Sequence, residues 1–228
     1  MTAKERYMNV AAELADECVK AGRDPQDVTL IAVSKTVGVA EVERAIEGGA
    51  HDFGENRPDQ LMLKADSLPQ ERWHFIGNIQ SRRIKDIVGR AVLVHSLYQE
   101  GHARKIDQVA EQLGIVQDVL LEVNVSGEKS KDGLAPDQVS EFLTMCGSLP
   151  HVRVRGLMTM APRGDEDVAR QTFAGLARLL AQLKSQLPAE QAECFTELSM
   201  GMSEDWREAV AEGATYVRIG RAVFSDQF

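Results

Sequence analysis

The chain has 228 residues, 43% of them apolar and 27% charged, and a formal net charge of -9. That length suits one α/β barrel or one doubly wound domain, and the acidic balance argues against a nucleic-acid binder, which needs a basic surface to meet phosphates. Three widely spaced cysteines, Cys18, Cys146 and Cys194, form no CxxC pair and read as reduced thiols of a cytoplasmic protein, with neither a zinc site nor a disulfide framework.

The N-terminus carries charges of both signs with no apolar run behind it, and no segment is long enough to span a bilayer, so neither secretion nor membrane insertion is expected. Residues 3–21 place Tyr7, Val10, Ala11, Leu14, Cys18 and Val19 at helical spacing and stop at Gly22, which predicts an N-terminal helix. Strand signals follow at 28–34, 51–54, 72–76, 91–95, 117–125, 152–159, 195–200 and 214–219. Helical stretches fall between them, near 39–48, 58–67, 81–88, 99–113, 136–147, 166–186 and 204–212. Eight strands alternating with helices, without a linker-like break, predict an α/β chain of one domain over 1–228, a (β/α)8 TIM barrel at about 28–224 with an extra N-terminal helix. An open doubly wound sheet is the alternative.

The ends of the strands are polar or glycine-rich: Lys35, Glu55-Asn56, Gly77-Asn78, His95-Ser96, Asn124 to Ser126, Thr159, Ser199 to Gly201, and Arg218 to Gly220. In a barrel these converge on one pole, where loops build a site. Lys35 closes the run Val28-Thr-Leu-Ile-Ala-Val-Ser-Lys35, and a period of two puts Ile31, Val33 and Lys35 on one side. An amine held in an apolar site loses solvation, which lowers its pKa and makes it a nucleophile toward aldehydes; a strand-end lysine that merely opens a solvated loop is the plainer reading. Ser199-Met-Gly-Met-Ser203 leads into a helical stretch, with Ser203 suited to cap it and Gly201 to let the backbone approach a ligand. Amides at a helix start hold anions, and Gly220 supplies a second turn after the eighth strand. Against this, Glu204 and Asp205 in the first turn would repel a phosphate if they faced it. An amine and an anion site on one pole suggest a ligand with an aldehyde and a phosphate, and pyridoxal 5'-phosphate (PLP) fits.

Seven segments in order resemble the PLP homeostasis proteins, single-domain relatives of the alanine racemase barrel, from about Ala21 to Phe224: Ala-Val-Ser-Lys35-Thr, Phe53-Gly-Glu-Asn56, Trp73-His-Phe-Ile-Gly77, Glu122-Val-Asn-Val-Ser-Gly-Glu-Lys-Ser-Lys131, Gly156-Leu-Met-Thr-Met160, Leu198-Ser-Met-Gly-Met-Ser203 and Val217-Arg-Ile-Gly220. The resemblance implies a PLP site with Lys35 as the Schiff-base lysine, Asn56 beside the ring, Ser199, Gly201, Met202, Ser203 and Gly220 around the phosphate, and Arg218 toward the pyridine nitrogen. On strand periodicity Tyr216, Arg218 and Gly220 share one face, so Arg218 can project into the barrel; a buried ion pair with Glu122 is its structural alternative. The chain departs from the family at Gly38, Arg57-Pro58, Ile79-Gln-Ser-Arg-Arg83 and Tyr98, all at the rim.

The resemblance further implies a cytoplasmic, monomeric carrier that keeps free PLP low and hands it to apo PLP-dependent enzymes, without turnover of its own and with no catalytic residue or metal. The alternative is an amino-acid racemase. Racemisation needs acid/base groups on both faces of the α-carbon, and the racemases draw one from a second domain for which this sequence shows no counterpart; Tyr98 is the tyrosine expected near the mouth. The loop Asn124 to Lys131 reads as a substrate or lid loop hinged at Gly127 and Gly133, and a second PLP site is conceivable at Lys129 and Lys131 or at Arg82 and Arg83. The five histidines show no metal-ligand spacing and read as structural.

Overall fold

In the computed structural model the described residues are 1–128 and 131–225. Eight strands, β1 (Thr29–Val33), β2 (Asp52–Glu55), β3 (Arg72–Phe75), β4 (Leu93–Leu97), β5 (Gln117–Glu122), β6 (Val152–Met158), β7 (Glu197–Met202) and β8 (Tyr216–Ile219), pair in parallel in sequence order. β8 returns to β1, with Thr29 opposite Tyr216 and Ile31 opposite Arg218, so the sheet closes into a TIM barrel and the open-sheet alternative is excluded. The apolar strand runs require this arrangement. Leu30, Ile31, Ala32 and Val33 are all buried, because one face of β1 looks into the barrel and helices cover the other.

The covering helices are α1 (Ala3–Lys20), α2 (Val39–Ile46), α3 (Pro58–Ser67), α4 (Ile84–Ile87), α5 (Glu100–Leu113), α6 (Val139–Cys146), α7 (Glu166–Lys184), α8 (Ala189–Cys194), α9 (Trp206–Ala211) and α10 (Arg221–Phe224). α4 and α6 are shorter than expected because a 3-10 turn precedes each, at Ser81–Arg83 and Pro136–Gln138. β5 stops at Glu122, not near 125, because the Asn124 side chain accepts from the Gly127 amide (3.0 Å) and donates to the Glu128 carbonyl (2.8 Å), bending the chain. The extra helix α1 opens with a Thr2–Glu5 capping box and docks beside α2 and α10, where the Arg6 guanidinium donates to the Val223 carbonyl at 2.8 Å.

The main apolar core lies between strands and helices and includes Phe53, Trp73, Phe75, Ile84, Ile106, Phe173 and Leu176. Inside the barrel the apolar cluster is small, Leu93, Leu120 and Met158 with Tyr216 beside them. Two glycines shape the C-terminal pole. A side chain at Gly77 would place its Cβ 2.0 Å from the Asn56 carbonyl oxygen, so the end of β3 passes against the end of β2 only because Cβ is absent. Gly201 has φ +89°, and its Cβ would lie 2.6 Å from the Ala209 Cβ. There the β7–β8 register shifts between Ser199 and Met202, a bulge that lifts Met202 and Ser203 toward the barrel mouth.

Candidate functional site

A cavity of about 770 Å³ opens at the C-terminal pole. Lys35, Asn56, Met202, Ser203, Arg218 and Gly220 all line it, with Asn78, Gln80, Met160, Arg163, Asp165 and Asp205 among their neighbours. Six of the eight residues expected at the site thus share one chamber, although they come from β1, β2, β7 and β8 and the turns beyond them. Ser199 and Gly201 do not line it: Ser199 lies below the floor within β7, and Gly201 packs against α9.

Lys35 is not held in an apolar site. β1 ends at Val33, the Val37 amide bonds back to the Ser34 carbonyl at 3.1 Å, and Lys35 sits exposed in that turn. Its amine makes no ion pair or hydrogen bond with another described residue, so it is available to a ligand. Ser203 does not cap α9. Asp205 stands at the N-terminus of α9 and its carboxylate accepts from the Met202 amide at 2.5 Å. This leaves the Ser203 hydroxyl without a hydrogen bond among the described residues. The two acids that threatened an anion site part company: Glu204 turns out to pair with Arg221 at 2.6 Å, whereas Asp205 is taken up by the turn itself and burial raises its pKa. Gly220 approaches β1 closely, since its Cβ would lie 3.1 Å from the Val33 carbonyl oxygen.

Arg218 forms the floor, 5% exposed. It makes no salt bridge with Glu122 among the described residues. Its Nη1 donates to Ser199 Oγ at 2.6 Å and its Nη2 to the Thr159 carbonyl at 3.0 Å. Burial lowers its pKa to about 10, with Asp205 and Glu122 opposing that shift, so it stays cationic at neutral pH. Beneath it runs a polar ladder that the sequence reading missed: Ser199 Oγ to His95 Nδ1 (2.8 Å), His95 Nε2 to His74 Nδ1 (3.0 Å), and His74 Nε2 to Asp52 Oδ1 (2.9 Å). Bonding logic gives every link one direction. Arginine only donates and an ionised carboxylate only accepts; with both imidazoles neutral, His74 donates to Asp52, His95 donates to His74, and Ser199 accepts from Arg218 and donates to His95. Both neutral imidazoles then carry their proton on Nε2. Their surroundings favour this: burial, then His74 and Arg218, push His95 well below its usual range, and burial lowers His74. The signal in the sequence was a histidine at an inward position of each of two neighbouring strands. His95 was expected at a strand end, but β4 carries it mid-strand.

Around the rim, the loop after β5 is tethered. Asn78 donates to Asp132 (3.0 Å), and Lys131 bonds the Met160 carbonyl (3.2 Å) and pairs with Glu128 (2.7 Å). Lys131 is therefore committed within the protein, and Lys129 lies outside the described residues. Arg83 pairs with Asp86. Tyr98 does not line the cavity; burial, then the neighbouring Asp132, raises its pKa.

The family profile described as alanine racemase, N-terminal domain, matches residues 16–227. A curated relative from Aquifex aeolicus, named pyridoxal phosphate homeostasis protein, is 38% identical over 100% of this chain and 99% of its own. The chain belongs to the pyridoxal phosphate homeostasis protein family. Among solved structures, a protein of unknown function from Bifidobacterium adolescentis superposes with a TM-score of 0.91 at 33% identity, covering 97% of this chain and 94% of that one. PipY of Synechococcus elongatus, solved with PLP bound, superposes at 0.80 with 33% identity, covering 93% and 100%. Members of this family thus share the barrel described here, and one of them holds PLP.

Proposed function

We propose that this chain binds PLP through Lys35 and holds it for delivery to other proteins, without turning over a substrate. The observation that carries this reading is the meeting, in one chamber, of three groups distant in sequence that match the three ends of PLP: an uncommitted amine at Lys35, an uncommitted hydroxyl at Ser203, and a buried cation at Arg218. Kinship with a PLP-bound relative supports it. PLP would supply an aldehyde carbon, to which the Lys35 amine forms a C=N bond as the aldehyde oxygen leaves as water. Ser203 would donate to the phosphate, with Met202 and Gly220 flanking it. Asn56 would lie at the ring. Arg218 would present an N–H to the pyridine nitrogen, and a cation there disfavours protonating that nitrogen and so limits the electron sink.

A carrier is favoured over an amino-acid racemase, which needs a second proton-transfer group opposite the lysine, by the kinship over nearly the whole chain with the PLP-bound relative. The relatives' names point the same way. Among the described residues no helix is long and apolar enough to cross a membrane; the carrier would serve apo PLP-dependent enzymes in the cytoplasm.

Borohydride treatment of the PLP-loaded protein should leave a pyridoxyl group on Lys35, and Lys35→Ala should abolish it; peptide mapping to another lysine would refute the assignment. Incubated with single enantiomers of amino acids in deuterated water, the loaded protein should give retained configuration, with at most slow α-deuterium exchange. Sustained inversion would establish the racemase reading instead.

A further inference from the structure

α3 faces the barrel wall with a charged residue where an apolar one would pack. Lys64 and Glu55 form an ion pair in which both side chains are 0% exposed. The Lys64 ammonium also donates to the Ser34 carbonyl at 2.8 Å, and the Ser34 hydroxyl donates to the same Glu55 oxygen at 2.6 Å. The other Glu55 oxygen is buried without a hydrogen-bond partner among the described residues. Stability does not account for this arrangement. A buried ion pair commonly does no better than apolar side chains of like size, and an orphaned carboxylate oxygen adds a further penalty. What the pair does touch is specific. Ser34 immediately precedes Lys35, and its carbonyl is the acceptor that closes the turn onto Val37. Glu55 immediately precedes Asn56. One ammonium on α3 therefore grips the chain just before each of two residues lining the chamber.

We propose that the Lys64–Glu55–Ser34 cluster is the positioning device for Lys35: it fixes the backbone of the 34–37 turn, so that a side chain with no hydrogen bond or ion pair among the described residues swings from an immobile base. Lys64 and Glu55 are positioning residues that act through Ser34, and this role rests on the reading of Lys35 as the PLP-linking amine. Without the clamp, the hydrogen bonds left to the turn carrying Lys35 among the described residues are Val37 to Ser34 and the Ser34 amide to the Gly54 carbonyl, 3.0 Å, beside the packing of Val37 on the core.

The test is the double variant Lys64→Met/Glu55→Gln, which removes the charges together and leaves no buried charge unpaired. Three measurements are made beside wild type: formation of the borohydride-reducible link to PLP, equilibrium binding of pyridoxine 5'-phosphate, which has an alcohol in place of the aldehyde and cannot form the link, and amide hydrogen exchange in peptides spanning 34–37. The clamp requires link formation to slow at least about tenfold, pyridoxine 5'-phosphate affinity to change less than about threefold, and exchange in the turn to rise at least about tenfold. Wild-type link rates in the folded variant would overturn it, as would equal losses for both ligands, which mark a general disturbance of the pole. Should the double variant not fold, Lys64→Met/Glu55→Met, an apolar pair of like size that also leaves the Ser34 carbonyl without its ammonium donor, decides: slower link formation with unchanged pyridoxine 5'-phosphate binding supports the clamp, and unchanged rates overturn it. The exchange arm separates this inference from the PLP reading. If wild type takes up no PLP on Lys35, the functional reading fails even where exchange upholds the clamp; if exchange is unchanged, the clamp fails while PLP uptake stands.

Discussion

Two serines four residues apart have opposite commitments. Ser203 Oγ has no hydrogen bond among the described residues, whereas Ser199 Oγ sits between Arg218 and His95. Ser203→Ala should therefore weaken PLP far more than pyridoxal, which lacks the phosphate, by roughly 1.5–3 kcal/mol for a hydrogen bond to a charged group. Ser199→Ala should affect the two ligands equally, because it disturbs the support of Arg218 and touches no phosphate. Titrations of both ligands into both variants check this, and equal losses in Ser203→Ala would remove the hydroxyl from the phosphate site. The sequence reading treated Ser199 to Ser203 as one turn. That Lys35, Asn56, Met202, Ser203, Arg218 and Gly220 meet at one pole was legible because motif order and strand-end positions carry them. Ser199 was not, because the distinction depends on where β7 bulges, and the bulge follows from the packing of Gly201 on α9, a contact that no local pattern encodes.

At the scale of elements, the strands were legible because buried parallel strands are written as apolar runs, and their order followed from alternation with helices. Short helices such as α8 and α10 left no separate signal; six and four residues are too few to show a 3.6-residue period. The close approach of β3 to β2 was equally hidden, since Gly77 reads as an ordinary strand-end glycine. Gly77→Ala would put a methyl 2.0 Å from a backbone oxygen, which no rotamer change relieves. Its cost should reach about 3 kcal/mol or more, seen as a lowered urea midpoint with unchanged slope, and PLP binding should fall with it because Asn56 moves. A variant as stable as wild type would show that the two strand ends part readily.

Across the whole molecule, stability should carry the mark of Glu122. Burial, then Asp132, raise its pKa from 4.5 to about 7, with Arg218 opposing. A carboxyl whose folded pKa lies above its unfolded value gives its full relative stability below about pH 4.5, where both states are protonated. That stability is lost as pH rises toward about 7, because the unfolded chain releases the proton first. The decline amounts to at most about 3 kcal/mol, and Glu122→Gln should flatten it in urea titrations of the apo protein across that range; an unchanged slope would mean Glu122 ionises normally. The ladder under Arg218 acts over the same distance in another way. Four groups donating in one sense, Arg218, Ser199, His95 and His74, link a cation near the mouth to a carboxylate at the opposite pole, and those two charges set an axial dipole through the barrel. Its positive end lies at the chamber floor of a chain whose net charge is -9. Because each bond fixes the polarity of the next, no single imidazole can reverse its proton alone. A donor-only arginine at one end and an acceptor-only carboxylate at the other leave the axis no reversed state, and so an incoming anion meets a field whose sign was set when the barrel closed.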